Sequence, residues 1–383
     1  MKTPRIIVAG AGPVGLAFAC ACRDTEVTLV DSTPARGAPG DEFDLRIFAL
    51  SAGTRTFLRD IGAWEHMDTR RIAPVRRMDV FGDQGAKLSF SGRSAAPLAW
   101  IVEAGRLAHA LEAQVATIPQ VTLRHGASAV AFEASAEAAC VHLESGERVE
   151  ADLLVGADGP DSRVRTALEL ETHAASYSES AIVANFEVEK EHGEVARQWF
   201  RADGVLAWLP LPGQRISIVW SAPEAIAGEL AALDGAALER RVRDAGAGIL
   251  GELRLISKVA SFPLRLIRVD RTVAPGVALI GDAAHAVHPL AGQGVNLGFQ
   301  DARVLADELG ARSPLERPGD LRVLRRYART RREDVSAMQF VTDKLDQLFS
   351  EPGAGASWLR NTGLRLVDSQ SWAKQALATR AMR

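Results

Sequence analysis

Residues 5–31, RIIVAGAGPVGLAFACACRDTEVTLVD, constrain the fold more than any other stretch of the chain. The apolar run 5–9 ends in glycine, which suits a buried parallel strand. Residues 13–23 carry small and apolar side chains at helical spacing, and 27–31 form a second strand that ends in an acid. Strand, helix and strand in this order make a βαβ unit with a right-handed crossover. Gly10-x-Gly12-x-x-Gly15 stands between the first strand and the helix, and Asp31 follows Gly10 by 21 positions. Gly10 permits the tight turn, Gly12 lets the backbone approach a pyrophosphate, and Gly15 lets helix and strand pack closely. Pro13 opens the helix, whose free N–H groups and partial positive charge favour a phosphate. Asp31 can accept from a ribose hydroxyl. The set predicts a bound dinucleotide and does not choose between NAD and FAD.

The remainder divides by pattern. A polar, Gly/Pro-rich loop covers 32–44, a helix 104–115, and short strands broken by turns 121–156. Between about 177 and 268, segments such as AIVANFEVE, VLAWLPL and ISIVWSA are rich in β-branched and aromatic residues, and LPGQ at 211–214 supplies a hairpin turn. This predicts a mostly antiparallel sheet. A short buried strand returns at 275–281, and helix follows 295 nearly to the end, interrupted near 311–319 and 350–357.

Two more motifs follow strands. In LLVGADGPDSRVR (153–165), Gly156 ends a strand, Asp158-Gly159 turn, and Asp161 or Ser162 can cap a helix carrying Arg163 and Arg165. In GDAAHAVHPLAGQGVNLGF (281–299), Gly281-Asp282 end a strand where an acid can bind polyol hydroxyls. The Gly-rich run then enters a helix whose first-turn N–H groups can face a flat polar edge, such as a flavin's N1 and C2 carbonyl. His285 and His288, three apart in a loop without a neighbouring cysteine or third histidine, make a poor metal set. No metal is expected.

Composition excludes other classes. With 47% hydrophobic and 24% charged residues and a formal net charge of −3, the chain lacks the basic surface that nucleic acid requires. No apolar run reaches the roughly 20 residues needed to span a bilayer. The N-terminus, MKTPRIIVAGAG, enters a strand directly rather than through a secretory signal. Cys20 and Cys22 fall on opposite sides of one helix and read as packing residues of a reducing compartment. The expectation is a cytoplasmic protein, at 383 residues long enough for two domains or one interleaved fold.

Together, GAGPVG (10–15), GADGPDSRVR (156–165) and GDAAHAVHPLAGQGVNLGFQDA (281–302) resemble the class A flavoprotein monooxygenases. HPLAGQGVNLG followed by Asp301 is most similar to the ubiquinone-biosynthesis hydroxylases of that class. DLRIFALS (44–51), WIVEAGRL (100–107) and TDKLDQLF (342–349) extend the likeness over nearly the whole chain. One departure is VEAGRL, where the pattern would put a polar or basic residue nearer Glu103.

The resemblance implies an α/β fold: a discontinuous, Rossmann-like FAD-binding domain, an inserted antiparallel substrate sheet and a helical C-terminus. The FAD-binding parts would be 1–75, 98–176 and 269–340, the substrate domain 76–97 and 177–268, and a C-terminal helical region 341–383. Gly10, Gly12, Pro13, Gly15 and Asp31 would hold the ADP half of FAD. Arg46, Arg106 and Asp158 would contact the cofactor, and Gly281-Asp282 the ribitol. Pro289, Gly292, Gln293, Gly294, Val295 and Asn296 would line the flavin ring, with Pro289, Gly292 and Gln293 nearest the chemistry. NAD(P)H would reduce the flavin without a Rossmann domain of its own. The reduced flavin would take up O2 as a C4a-hydroperoxide that attacks an electron-rich phenol, so no protein nucleophile is needed. The implied substrate is a polyprenyl phenol, with a quinone-biosynthesis protein complex and the inner face of the membrane as partners.

Some readings stay open at this point. Trp199, Phe200, Trp208 and Trp220 could line an apolar substrate channel or fill the sheet's core. Residues 321–335 place Arg322, Arg325, Arg326, Arg329 and Arg332 on one helical face, and 356–383 mix five basic residues with tryptophans and leucines. Each could lie on an anionic membrane or pack on the FAD domain. Alternatives to the prenylated substrate are a small phenolic acid, or a flavin-binding role without turnover.

Overall fold

The structure, a computed structural model, describes residues 3–83, 85–92, 96–286 and 294–350, with side chains described throughout these except at 173–177 and 340–350. Strand Arg5–Ala9 pairs in parallel with Glu26–Val30 on one side and Leu153–Gly156 on the other. Val121–Arg124 and Val277–Leu279 extend this sheet in parallel, and Val273–Ala274 closes it antiparallel as the sixth strand. The register sets Val30, Ala9, Gly156 and Leu279 side by side in one row. Asp31, Gly10, Asp158 and Gly281 follow those four residues directly or within two positions. Three motifs separated by most of the chain therefore open at one carboxyl edge, where doubly wound sheets bind ligands.

The helix Pro13–Ala21 buries Leu16, Ala17, Phe18 and Ala19 against this sheet. Phe299, Ala302 and Leu305 of the helix Gly294–Gly310 join the same core, as do Val323, Leu324 and Tyr327 of the helix Leu321–Ser350. Each leucine, valine or phenylalanine side chain so removed from water contributes about 1.5–3 kcal/mol. A Cβ at Gly298 would stand 2.6 Å from the Val14 side chain and 3.2 Å from the Gly281 Cα, so only glycine lets the 294–310 helix lie there. The arginine-rich stretch 321–335 thus packs on the FAD half. Arg326 pairs with Glu308 at 3.0 Å and Glu316 at 3.2 Å, and the Tyr327 hydroxyl donates to the Leu279 carbonyl at 2.8 Å. Residues 356–383 lie outside the described residues.

A nine-stranded sheet forms the second layer. Its backbone is Thr172–Val188, paired antiparallel with Arg215–Pro223 and Ala260–Val269. Gly204–Leu211 and Val195–Arg201 continue it, and Arg77–Phe81 with Lys87–Ser91 joins from earlier in the chain. The hairpin turn falls at 212–214. Two helices absent from the sequence reading, Glu224–Ala232 and Gly235–Ala245, cover one face, the second capped by Asp234 accepting from the Ala237 N–H at 2.7 Å. Ile182, Ala184 and Phe186 point into that covered face with Trp199, Trp208 and Trp220. These tryptophans fill a core, which removes them as lining for a substrate channel. Phe200 is buried separately with Val80 and Leu88.

Candidate functional site

Gly10 adopts φ +105°, and a Cβ there would stand 2.3 Å from the Ala157 carbonyl oxygen. A Cβ on Gly15 would approach the Gly10 oxygen to 2.2 Å. Gly12 is different: it is the N-cap of the 13–21 helix, with Pro13 just inside, and a Cβ there would meet nothing within 4 Å. Two glycines are demanded by the protein's own packing, whereas Gly12 faces a space that the protein leaves for something else. That is the geometry of a pyrophosphate cradle. Asp31 accepts from the Ala11 N–H at 2.6 Å and the Thr33 N–H at 2.7 Å, so its carboxylate shapes the Gly-rich loop. Arg36, which sequence reasoning passed over, donates to the Ala11 carbonyl at 3.2 Å and pairs with Glu112.

Asp158 crosses the mouth of the next strand. One carboxylate oxygen accepts from the N–H groups of Arg163 at 2.7 Å and Val164 at 3.1 Å; the other is buried with no partner. Ser162, the cap, accepts from the Arg165 N–H at 3.0 Å. Arg165 is buried and donates to the Ala283 carbonyl at 2.8 Å, which ties the second motif to the third.

In the third motif, Gly281 takes φ +61° against the Val14 side chain. Burial pushes the Asp282 carboxyl above its ordinary value, and the Arg46 charge pulls the other way. Such a group keeps its proton more tightly folded than unfolded, so the stability it confers is full below the unfolded carboxyl's range and is lost as pH rises through the folded value. We expect Asp282→Asn to stabilise the apo-protein at pH 7 while weakening its hold on FAD. Thermal unfolding of apo-protein checks this, and the gain should vanish below about pH 4.

Pro289, Gly292 and Gln293 lie outside the described residues. Gly294 and Val295 begin the 294–310 helix, and buried Asn296 donates from its amide to the Ala49 carbonyl at 2.9 Å and accepts from the Ser51 N–H at 2.9 Å. Asn296 therefore fastens the helix's first turn to strand Ile47–Ser51, with its side chain already committed. His285 is bonded through Nε2 to Asp301 at 2.7 Å. Arg46 is exposed, with its guanidinium 5.4 Å from the Phe48 ring centre. Arg106 donates to Glu103 at 3.0 Å and to the Gly40 carbonyl at 2.5 Å, holding the 40–44 loop. Arg71 grips the same Glu103 at 2.8 and 2.7 Å.

The face of the large sheet opposite the tryptophans is largely buried and docks on the FAD half. Side chains alternate along strands, so Ala181, Val183 and Asn185 point away from the tryptophan core, opposite Ser221, Val219 and Ser217. Ala207 and Leu209 continue the rows. The Asn185 amide donates to the carbonyls of Phe43 at 3.3 Å and Asp44 at 3.2 Å, which docks the sheet on the FAD half. A polar cavity of about 450 Å³ opens on the outer side of that loop, lined by Asp41, Phe43, Arg71, Glu187 and Arg215 among others, and by none of the motif glycines or aspartates.

A family profile described as an FAD binding domain matches residues 3–341. The 3-demethoxyubiquinol 3-hydroxylase of Escherichia coli is 33% identical over 369 residues, covering 95% of this chain and 94% of that protein. The chain is an FAD-dependent monooxygenase. It belongs to the family so matched, and FAD is its cofactor. The monooxygenase is also 31% identical to the mitochondrial ubiquinone biosynthesis monooxygenase COQ6 of Homo sapiens, over 97% of this chain and 91% of that one. Among solved structures it resembles PqsL of P. aeruginosa, with a TM-score of 0.77 and 23% identity over 91% and 97% of the two chains, a likeness of fold. The open space at Gly12 and the unpartnered Asp158 oxygen fit the cofactor.

Proposed function

We propose that the monooxygenase hydroxylates the aromatic ring of a polyprenylated phenol on the route to ubiquinone, with NAD(P)H as reductant. Bound and reduced, FAD activates O2 so that one oxygen atom enters an electron-rich ring and the other leaves as water. The chain's own residues bind, orient and exclude water. Gly10, Gly12, Pro13 and Gly15 receive the pyrophosphate at the helix N-terminus, with Asp31 beside the ribose. Asp158, Arg46 and Arg106 border the cofactor, and Gly281-Asp282 meet its polyol chain. The free N–H groups at Gly294, Val295 and Asn296 would face the flavin ring and favour negative charge there; Pro289, Gly292 and Gln293 precede them in the sequence.

The observation that supports the substrate class is the sheet face opposite the tryptophans. Ala181, Val183, Val219, Ala207 and Leu209 make this face aliphatic and largely buried, and the polar residues among them, Asn185, Ser217 and Ser221, are neutral. A free carboxylate would find no cation among these residues, whereas an uncharged ring with a hydrocarbon tail loses nothing by leaving water. The names of the relatives, a 3-demethoxyubiquinol 3-hydroxylase and a ubiquinone biosynthesis monooxygenase, support the same reading. No described helix is long and apolar enough to cross a membrane. A substrate with a hydrocarbon tail resides in lipid, and in this reading the enzyme meets it as a peripheral protein at the cytoplasmic face, beside other quinone-biosynthesis proteins.

Deleting the gene and analysing the quinone pool by mass spectrometry tests this reading. A prenylated precursor lacking one ring hydroxyl should accumulate; an undiminished quinone pool with no precursor contradicts it. In vitro, Val183→Arg should raise KM for a prenylated phenol by about tenfold or more, the scale of a lost apolar contact plus a buried charge. FAD content should stay unchanged.

A further inference from the structure

The buried carboxylate of Asp301 does more than join two helices. It is fully buried on the 294–310 helix, and its two oxygens take hydrogen bonds from three separate elements. Oδ2 accepts from the Gly281 N–H at 3.0 Å and lies 2.7 Å from His285 Nε2. Oδ1 accepts from Arg331 Nε at 2.7 Å. Gly281 and His285 bracket Asp282, so one carboxylate pins both ends of the turn that aims the Asp282 side chain.

Arg331, on the 321–350 helix, is itself fixed. Its remaining donors go to Gln300 Oε1 at 2.9 Å, Asp334 Oδ2 at 3.0 Å and the Leu297 carbonyl at 3.3 Å. Burial alone would raise the Asp301 carboxyl, but His285 and Arg331 hold it below the usual carboxylate range. If this contact served only to pack helices, an apolar pair would do as well, because burying an ion pair costs nearly what it returns. A charged pair is needed where a carboxylate must also hold a peptide N–H and an imidazole in place.

We propose that Asp301 and Arg331 are positioning residues for the flavin reaction, acting through Gly281 and His285 to fix the Gly281–Ala286 segment against the cofactor. This rests on the reading that Asp282 and the first turn of the 294–310 helix border FAD. Both side chains are buried behind the turn; Arg331 backs Asp301, and Asp301 sets the turn. Arginine is required rather than any cation, because lysine cannot present the fork that serves Asp301, Gln300 and Leu297 together.

The test compares Asp301→Asn, Arg331→Lys and the double variant D301N/R331M with Asp282→Asn. It measures denaturation midpoints, FAD dissociation constants of the folded apo-proteins by fluorescence, and the share of NAD(P)H electrons that end in hydrogen peroxide. Asp301→Asn and Arg331→Lys should weaken FAD binding by about tenfold or more, roughly 1.4 kcal/mol, and raise peroxide release. The double variant, with the buried charges removed together, should recover the denaturation midpoint yet keep the weakened FAD binding. Wild-type FAD affinity and peroxide yield in the double variant or in Arg331→Lys would overturn the proposal, even with a lowered midpoint. If these variants bind FAD normally while Asp282→Asn does not, positioning alone fails. If Asp282→Asn also binds normally, the placement of FAD at this edge has failed, and positioning with it.

Discussion

Gly12→Val should leave the apo-protein folded and strip it of FAD. Position 12 has φ −70° and ψ 171°, a region valine adopts freely, and a Cβ there meets no protein atom within 4 Å. The loss of a glycine N-cap costs at most about 1 kcal/mol, which lowers the melting temperature by no more than about 4 °C. The added methyl groups instead occupy the path by which a pyrophosphate reaches the helix N-terminus. We expect FAD affinity to fall by about a hundredfold or more, the scale reached when a bound group is displaced by an ångström. Gly15→Ala provides the contrast, since its Cβ would lie 2.2 Å from the Gly10 oxygen and strain the fold itself. Calorimetry of apo-protein, with FAD titration, separates the two. Retention of FAD by the Gly12 variant would show that the open space serves no cofactor.

Trp208→Ala should produce the opposite split. Trp208 is 1% exposed, its ring centre lies 4.8 Å from that of Trp199, and a Cβ on Gly246 would stand 2.1 Å from it. The covering helix is thus pressed onto the indole. Truncation leaves a cavity costing about 3–5 kcal/mol. Urea unfolding should register that loss, while KM for the aromatic substrate and FAD affinity of the folded fraction stay near wild type. A raised KM with little loss of stability would restore the substrate-channel reading of these tryptophans.

The sequence was most legible where one local rule decided the outcome. Gly10, Gly12 and Gly15 between an apolar run and a small-residue helix allow few other structures, and the 104–115 helix emerges with its bounds as read. The register that sets Ala9 beside Gly156 and Leu279 is a long-range choice, which no spacing along the chain encodes. The 224–245 helices were hidden by strongly β-prone neighbours, although Asp234 ahead of GAALERRV is a helix start. Arg331 was passed over among the exposed arginines of its helix. Its signal was position: it continues the buried face of Leu324 and Tyr327, where an arginine must have a partner.

Isotope-labelled O2, supplied to the FAD-loaded enzyme with NAD(P)H and a short-tailed prenylated phenol, tests the central claim most directly. The predicted result is a ring-hydroxylated product carrying a single labelled oxygen atom, with NAD(P)H consumed in proportion and a free phenolic acid left unconverted. Unlabelled product, or faster conversion of the free acid than of the prenylated ring, would contradict it.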